Sequence, residues 1–169
     1  MHVTEWNTDI RQAGDKSPEA IALRTGGKGA AILTAAWIAM QENGVAVSTF
    51  YRGPDPAMDA PTFYGIFYAN GKPKRSALAF SLWAQAAAHP QRLEVSSAPQ
   101  SALQMLAGRN ESGEIVLLIA NPTKAPLRYT IAGMEGRRLA LSQVNDASEQ
   151  VQSLAIDGPV IEIGGETVQ

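Results

Sequence analysis

Hydrophobic positions follow different patterns in the two halves of this 169-residue chain. Residues 29–42 are Ala-rich and apolar on almost every side, which predicts a helix buried over most of its surface. Residues 45–51 form a short β-rich run without polar alternation, which predicts a parallel strand covered on both faces. A strand is also predicted at residues 1–6 and a helix at residues 73–88. The first half is therefore expected to be α/β.

Capping residues define the predicted ends of the helices. Ser17 followed by Pro18 predicts an N-cap and the first position of a short helix. Proline is well suited to this position, because a backbone N–H there has no partner within the helix. Gly26-Gly27 interrupts that helix. Asn43-Gly44 predicts a left-handed ending for the helix over residues 29–42.

After Pro90, short stretches of alternating polarity replace the helical patterns. Strands of this kind, separated by turn signals such as Asp157-Gly158, predict an antiparallel β-sandwich. Six strands are expected, at residues 102–108, 114–120, 127–131, 138–141, 150–155 and 160–163.

The predicted order is strand, helix, strand, helix and then an all-β region, with the boundary near residues 90–100. Two parallel strands do not form a stable sheet by themselves. Either the β-domain covers them, or further strands come from another stretch of polypeptide, and we expect the second. Residues 164–169 resemble the start of one more strand. We therefore expect the chain to be a portion of a longer protein.

Composition excludes several classes of function. The net charge is −2 and 18% of the residues are charged, so there is no basic stripe for nucleic acid or for an anionic membrane surface. No stretch reaches the roughly 18 apolar residues of a membrane span, and the first residues lack the pattern of a signal peptide. With no cysteine and only His2 and His89, we expect no disulfide, no metal site and no cofactor.

The segment from His2 to Thr8, His-Val-Thr-Glu-Trp-Asn-Thr, resembles the seventh-strand motif of glycoside hydrolase family 39, which contains β-xylosidase-like and α-L-iduronidase-like enzymes. Further features follow in the family's order: Ser-Thr-Phe-Tyr at 48–51, Phe-Tyr-Gly-Ile-Phe at 63–67 and Gly-Lys-Pro-Lys at 71–74. The resemblance covers residues 1–90. Phe50 stands where the family usually has tryptophan.

The resemblance implies a fold, α/β followed by all-β. Residues 1–92 would be the last βα units of a (β/α)8 TIM barrel, from strand 7 to helix 8, and residues 93–169 a β-sandwich domain. It also implies a β-xylosidase-like O-glycoside hydrolase that retains configuration by double displacement, with Glu5 as nucleophile and an oligosaccharide or glycoside as substrate. Such enzymes need a second carboxyl group about 5–5.5 Å away as acid/base. In the family that group lies on strand 4, which this chain lacks, and Asn110-Glu111 is interpreted as a turn.

Side chains near the ends of the two predicted strands are candidates for substrate binding, since a ring face suits the C–H face of a pyranose. These candidates are Trp6, Asn7, Phe50, Tyr51 and Tyr64. Packing under the loop explains Trp6 equally well, and core packing at a strand end explains Phe50 or Tyr51 equally well.

Other side chains are assigned to structure. Strand alternation places His2 on the face of Thr4 and Trp6, opposite Glu5, which predicts a packed or capped histidine. Trp37 and Trp83 lie on predicted helices and are expected in the core. Asp55 and Asp59 lie in the Pro-rich loop and are expected to face solvent.

Three hypotheses on function remain open. The first is a fragment of a secreted or periplasmic carbohydrate-active enzyme. The second is a non-catalytic carbohydrate-binding or interaction module. The presence of only one aromatic residue, Tyr129, between 91 and 169 argues against it. The third is an inactive remnant. In isolation, unpaired parallel strands and an apolar helix would make the chain self-associate.

Overall fold

A computed structural model describes residues 1–9, 11, 15–56, 63–96, 102–133, 138–158 and 160–169. Its helices are α1 (Pro18–Thr25), α2 (Gly27–Glu42) and α3 (Arg75–Ala87). Its strands are β1 (His2–Trp6), β2 (Val47–Phe50), β3 (Gln91–Leu93), β4 (Gln104–Arg109), β5 (Ile115–Asn121), β6 (Leu127–Thr130), β7 (Arg138–Gln143), β8 (Gln152–Asp157), β9 (Val160–Ile163) and β10 (Thr167–Val168).

The helices begin and end close to where local sequence predicts. The Ser17 hydroxyl accepts a hydrogen bond from the backbone N–H of Ala20 at 3.3 Å, and α1 ends before Gly26. Gly44, after α2, has φ +70°, which confirms the predicted left-handed ending. The N-terminus of α2 has a partner from far along the chain, because the N–H of Gly27 donates to Asp146 Oδ1 at 2.6 Å.

Strands β1 and β2 pair in parallel, as predicted. The prediction that the second of them is covered on both faces is wrong, because three of its four residues are exposed and Val47 retains 47% of its surface. The covered side of the pair contacts α2 and α3 through aromatic rings. Trp6, Trp37, Phe50, Phe80 and Trp83 form this aromatic cluster.

The β region (residues 91–169) is antiparallel throughout its described pairs, as predicted. One sheet has the order β10-β5-β4-β3, and two further pairs are β6-β9 and β7-β8. Each of the six predicted strands overlaps an observed one. Strand β10 lies within residues 164–169, where the start of one more strand was expected. Strand β3 was not predicted, and it runs across the boundary expected after residue 92.

One hydrophobic core joins the helices to the β region. Helices α2 and α3 lie against β4 and β5, and α2 also contacts β10. The buried core side chains include Leu33, Trp37 and Leu82 from the helices and Leu106, Leu118 and Val168 from the strands. The alternative in which the β region covers β1 and β2 is therefore wrong, since it covers the helices instead. In the described residues, no helix is long and apolar enough to cross a bilayer.

Candidate active site

Glu5 lies at an irregular point of β1. In the pairing with β2, Val3 is opposite Ser48 and Trp6 is opposite Phe50, so β1 has one residue more than β2 between these pairs. Val3 and Trp6 are half-buried, whereas Glu5 is exposed at the carboxyl end of the strand. An extra residue of this kind is a β-bulge, which redirects side chains and is frequent beside active sites.

The bulge overturns the expected alternation along β1. His2 and Thr4 are exposed, as Glu5 is, and only Trp6 of the expected opposite face is half-buried. One added residue breaks the period of two on which the expectation depended. His2 lies before the bulge, and its own exposure shows that the prediction of a packed or capped His2 is wrong. Among the described residues Glu5 is exposed and has no hydrogen-bond or ion-pair partner.

Asn7 connects the end of β1 to two other segments. Its side-chain N–H₂ group donates to the backbone carbonyls of Tyr51, just after β2, and of Tyr64, at 3.1 Å for the latter. Its Oδ1 accepts from the backbone N–H of Asp9 at 3.1 Å and lies 3.4 Å from the Thr8 hydroxyl. Asn7 thus brings the two tyrosines next to the strand that carries Glu5.

Tyr51 and Tyr64 differ in how freely their rings are presented. Tyr51 retains 41% of its surface, and its ring centroid lies 6.5 Å from that of Tyr64. The Tyr64 ring has the Arg24 guanidinium 4.7 Å from its centroid, and its hydroxyl donates to the Arg11 carbonyl. Tyr51 is therefore the more accessible aromatic surface.

The guanidinium of Arg24 is enclosed beneath the loop that follows β1. Its Nε donates to Asp9 Oδ2 at 2.8 Å, and both side chains are essentially fully buried. The same guanidinium donates to the carbonyl of Arg11 at 3.1 Å. A buried charge needs such partners, because desolvation without them is costly. This ion pair fixes the loop after β1 onto α1.

A second buried ion pair lies beyond β2. Lys74 Nζ is 2.7 Å from Asp55 Oδ2 and donates to the Phe63 carbonyl at 3.0 Å. Asp55 Oδ1 accepts from the N–H of Gly65 at 2.8 Å. Burial lowers the pKa of Lys74 from its ordinary value, and the contact with Asp55 opposes that shift.

The buried Asp55 corrects the expectation that it faces solvent, whereas Asp59 lies outside the described residues. Neither buried ion pair was predicted. Lys74 belongs to the Gly-Lys-Pro-Lys segment at 71–74, but sequence alone does not indicate that its charge is enclosed. Its partner is distant in the chain and lies in a Pro-rich loop typical of the surface.

Trp6 and Phe50 pack toward the helices. Their ring centroids are 5.1 Å apart, and Trp6 Nε1 donates to the Ser48 hydroxyl at 2.7 Å. Trp37 is buried in the core and Trp83 packs against it, as predicted. Asn110-Glu111 forms the expected turn, closed by a hydrogen bond from the Gly113 N–H to the Asn110 carbonyl at 3.0 Å.

The described residues contain no group of three or more His, Asp or Glu side chains arranged to hold a metal ion. The ends of β1 and β2 present one exposed carboxylate, Glu5, and one exposed tyrosine, Tyr51, on a framework of buried ion pairs and a bridging amide.

The chain matches no protein-family model, and no curated protein sequence matches it. Solved structures do match. The catalytic domain of GH30 xylanase C from Talaromyces cellulolyticus gives a TM-score of 0.67 at 15% identity over 99% of this chain. A glucosidase from Croceicoccus marinus gives 0.66 at 19% over 99%, and the GH39 enzyme from Xanthomonas axonopodis pv. citri gives 0.61 at 13% over 98%.

This chain spans 39%, 44% and 42% of those three chains, respectively. The matches extend over the helices and the β region alike, so the arrangement of one against the other is shared. At these identities the likeness is one of fold. The described residues therefore have the fold of a part, about two fifths, of several glycoside hydrolases.

Proposed function

We propose that this chain is the C-terminal part of a β-xylosidase-like retaining O-glycoside hydrolase, with Glu5 as the nucleophile. The observation that carries the proposal is the β-bulge at Glu5, where this carboxylate is exposed at the end of β1 and has no partner among the described residues. In (β/α)8 barrels the catalytic residues lie at the carboxyl ends of strands. The fold shared with a xylanase and a glucosidase supports the same assignment.

The reaction has two steps. The Glu5 carboxylate attacks the anomeric carbon as the bond to the leaving-group oxygen breaks, and that oxygen takes a proton from a carboxylic acid. Water then attacks the glycosyl ester after giving a proton to the same acid/base residue, and Glu5 leaves as carboxylate. The acid/base residue, about 5–5.5 Å from Glu5, would come from polypeptide outside this chain.

The aromatic side chains divide between two roles in this proposal. Tyr51, whose ring is exposed, offers its face to the C–H face of the sugar, and Tyr64 borders it. Trp6 and Phe50 support the strands from the helix side. Burial of these rings against α2 and α3 keeps the ends of β1 and β2 in a fixed relation.

The β region offers less to a sugar. Tyr129 is half-buried, and its hydroxyl lies 3.2 Å from Gln169 Oε1. A carbohydrate-binding module relies on exposed aromatic rings, so the strand ends carry the proposal better than the β region does.

The test starts from the natural polypeptide that contains this chain, isolated from its source cells. Its intact mass is measured first, and the proposal requires a value well above the 18.0 kDa of these residues. The protein is then treated with dinitrophenyl xyloside and glucoside in which fluorine replaces the hydroxyl next to the anomeric carbon. Fluorine slows hydrolysis of the ester, and the leaving group departs without an acid.

We expect one glycosyl group on the peptide that contains Glu5. Glu5→Gln should abolish labelling, whereas Glu111→Gln, in an exposed turn, should leave it unchanged. A label on a different carboxylate would refute the assignment of the nucleophile. A native mass of 18.0 kDa without labelling would leave a binding role or an inactive remnant.

A further inference from the structure

We infer that Asn7 is a positioning residue, which sets the distance between the nucleophile strand and the two tyrosines and does not itself bind the sugar. This inference rests on the proposed function, because it gives Asn7 a task relative to Glu5. The position of Asn7 in the sequence indicates a contact with substrate, and the inference gives its amide a different role.

The donors of Asn7 are fully used. A side-chain amide has two N–H groups. Both face backbone carbonyls, those of Tyr51 and Tyr64, which have no hydrogen to offer in return. A sugar hydroxyl could accept a hydrogen bond from Asn7 only by displacing one of these carbonyls.

The acceptor of Asn7 is also occupied. Its Oδ1 receives the backbone N–H of Asp9 and lies beside the Thr8 hydroxyl. Carbonyls on one side and an N–H on the other fix the orientation of the amide, since a flipped group would set oxygen against oxygen. The side-chain amide of Asn7 therefore directs its hydrogen bonds at the protein.

The contacts of Asn7 join three segments that carry the proposed site. Glu5 lies two residues before it, the Tyr51 carbonyl lies at the end of β2, and Tyr64 lies in the following loop. Asp9, which Asn7 also holds, continues the connection to the buried Arg24. Removal of the amide would loosen the carboxylate relative to the ring that receives the sugar.

The experiment uses the polypeptide in which Glu5 is labelled, and the unmodified dinitrophenyl glycoside of whichever sugar labels it. Initial rates are measured on that glycoside and on its monodeoxy analogues, each lacking one hydroxyl. For Asn7→Ala we expect kcat/KM to fall by about 10- to 100-fold, as a displacement near 1 Å can produce. The factor should be the same for every analogue.

A direct contact would give a different pattern. If Asn7 bound one hydroxyl, the loss would disappear for the analogue that lacks it, because the two deletions would remove the same interaction. That outcome would overturn the inference. Asn43→Ala is the matched control: its amide also donates to a backbone carbonyl, that of Ala39 at 2.8 Å, at the end of α2. A loss in Asn7→Ala no larger than in this control would also overturn it.

Asn7→Asp covers the case in which the alanine variant does not fold. It keeps the shape and Oδ1 but places a carboxylate oxygen against two carbonyls, so kcat/KM should fall uniformly across the analogues here too. Failure of wild-type labelling at Glu5 would remove the proposed function and this inference together. Labelling at Glu5 with a loss confined to particular analogues would remove the inference alone.

Discussion

Lys74 Nζ lies 2.7 Å from Asp55 Oδ2, and neither side chain is exposed to solvent. The pair connects the start of α3 to the loop after β2; Lys74 Nζ also donates to the Phe63 carbonyl, and Asp55 Oδ1 accepts from the Gly65 N–H. A buried pair contributes little net stability relative to apolar residues, but the loss of one partner leaves a charge without compensation.

We therefore predict that Lys74→Met lowers the free energy of unfolding by about 3–5 kcal/mol, because Asp55 is left buried without its cation. The double variant Asp55→Asn/Lys74→Met should lose less than the sum of the two single variants. Urea unfolding of the four proteins measures the coupling. Additive effects would mean that the two side chains do not stabilise each other.

Glu5→Ala should lower the kcat of the full-length polypeptide by roughly a thousandfold or more, since about 4 kcal/mol of barrier corresponds to that factor. Azide should restore turnover of the dinitrophenyl glycoside. Its nitrogen bonds to the anomeric carbon from the side of the missing carboxylate as dinitrophenolate leaves, which gives a glycosyl azide of inverted configuration. Nuclear magnetic resonance of the product identifies the anomer. A variant that azide does not reactivate, or a product of retained configuration, would contradict the nucleophile role.

The burial of Tyr129 predicts how the free energy of unfolding changes at alkaline pH. Burial raises the pKa of its phenol above the ordinary value of 10.0. The folded state thus holds the proton at a pH where the unfolded state has lost it. The stabilisation is complete below about pH 10 and is lost as the pH rises toward the folded pKa. In Tyr129→Phe, the free energy of unfolding should fall less steeply above pH 10, as urea titrations at a series of pH values would show. Equal slopes for both proteins would count against burial of the phenol.

Strand β2 predicts association of the 169-residue chain when it is produced alone. It pairs with β1, and its exposed residues include Val47. Such a surface invites contact with another chain. We expect size-exclusion chromatography to show species larger than a monomer, and Val47→Lys to reduce them. Val160→Lys, at an equally exposed position of β9, should not. A sharp monomer peak with a cooperative melt would contradict this prediction.

The features that sequence predicts well in this chain are local ones. Ser17 and Pro18 start a helix, and Gly44 follows the end of another, through backbone requirements satisfied within a few residues. The short stretches of alternating polarity likewise located all six predicted strands of the β region. Burial alternates along β6 and β9, whereas β4 and β5 are buried over consecutive residues.

The features that sequence did not predict depend on distant partners. The bulge at Glu5 requires the register of β2, and one added residue there changes which side chains are exposed. The enclosure of Asp55 requires Lys74 to fold over it from the start of α3. The exposure of β2 depends on which elements lie beside it, whereas composition reports only that the run is apolar.

The core shared by α2, α3 and the β region limits where a segment of this chain can be exchanged for that of a related protein. Leu33 and Trp37 belong to the same packed cluster as Leu118 and Val168, and Asp146 supplies the first hydrogen-bond acceptor of α2. Exchange of the β region for that of a relative, with a crossover at residue 92, would also cut through β3. Chimeras that contain this chain should therefore inherit α2, α3 and the β region from one parent.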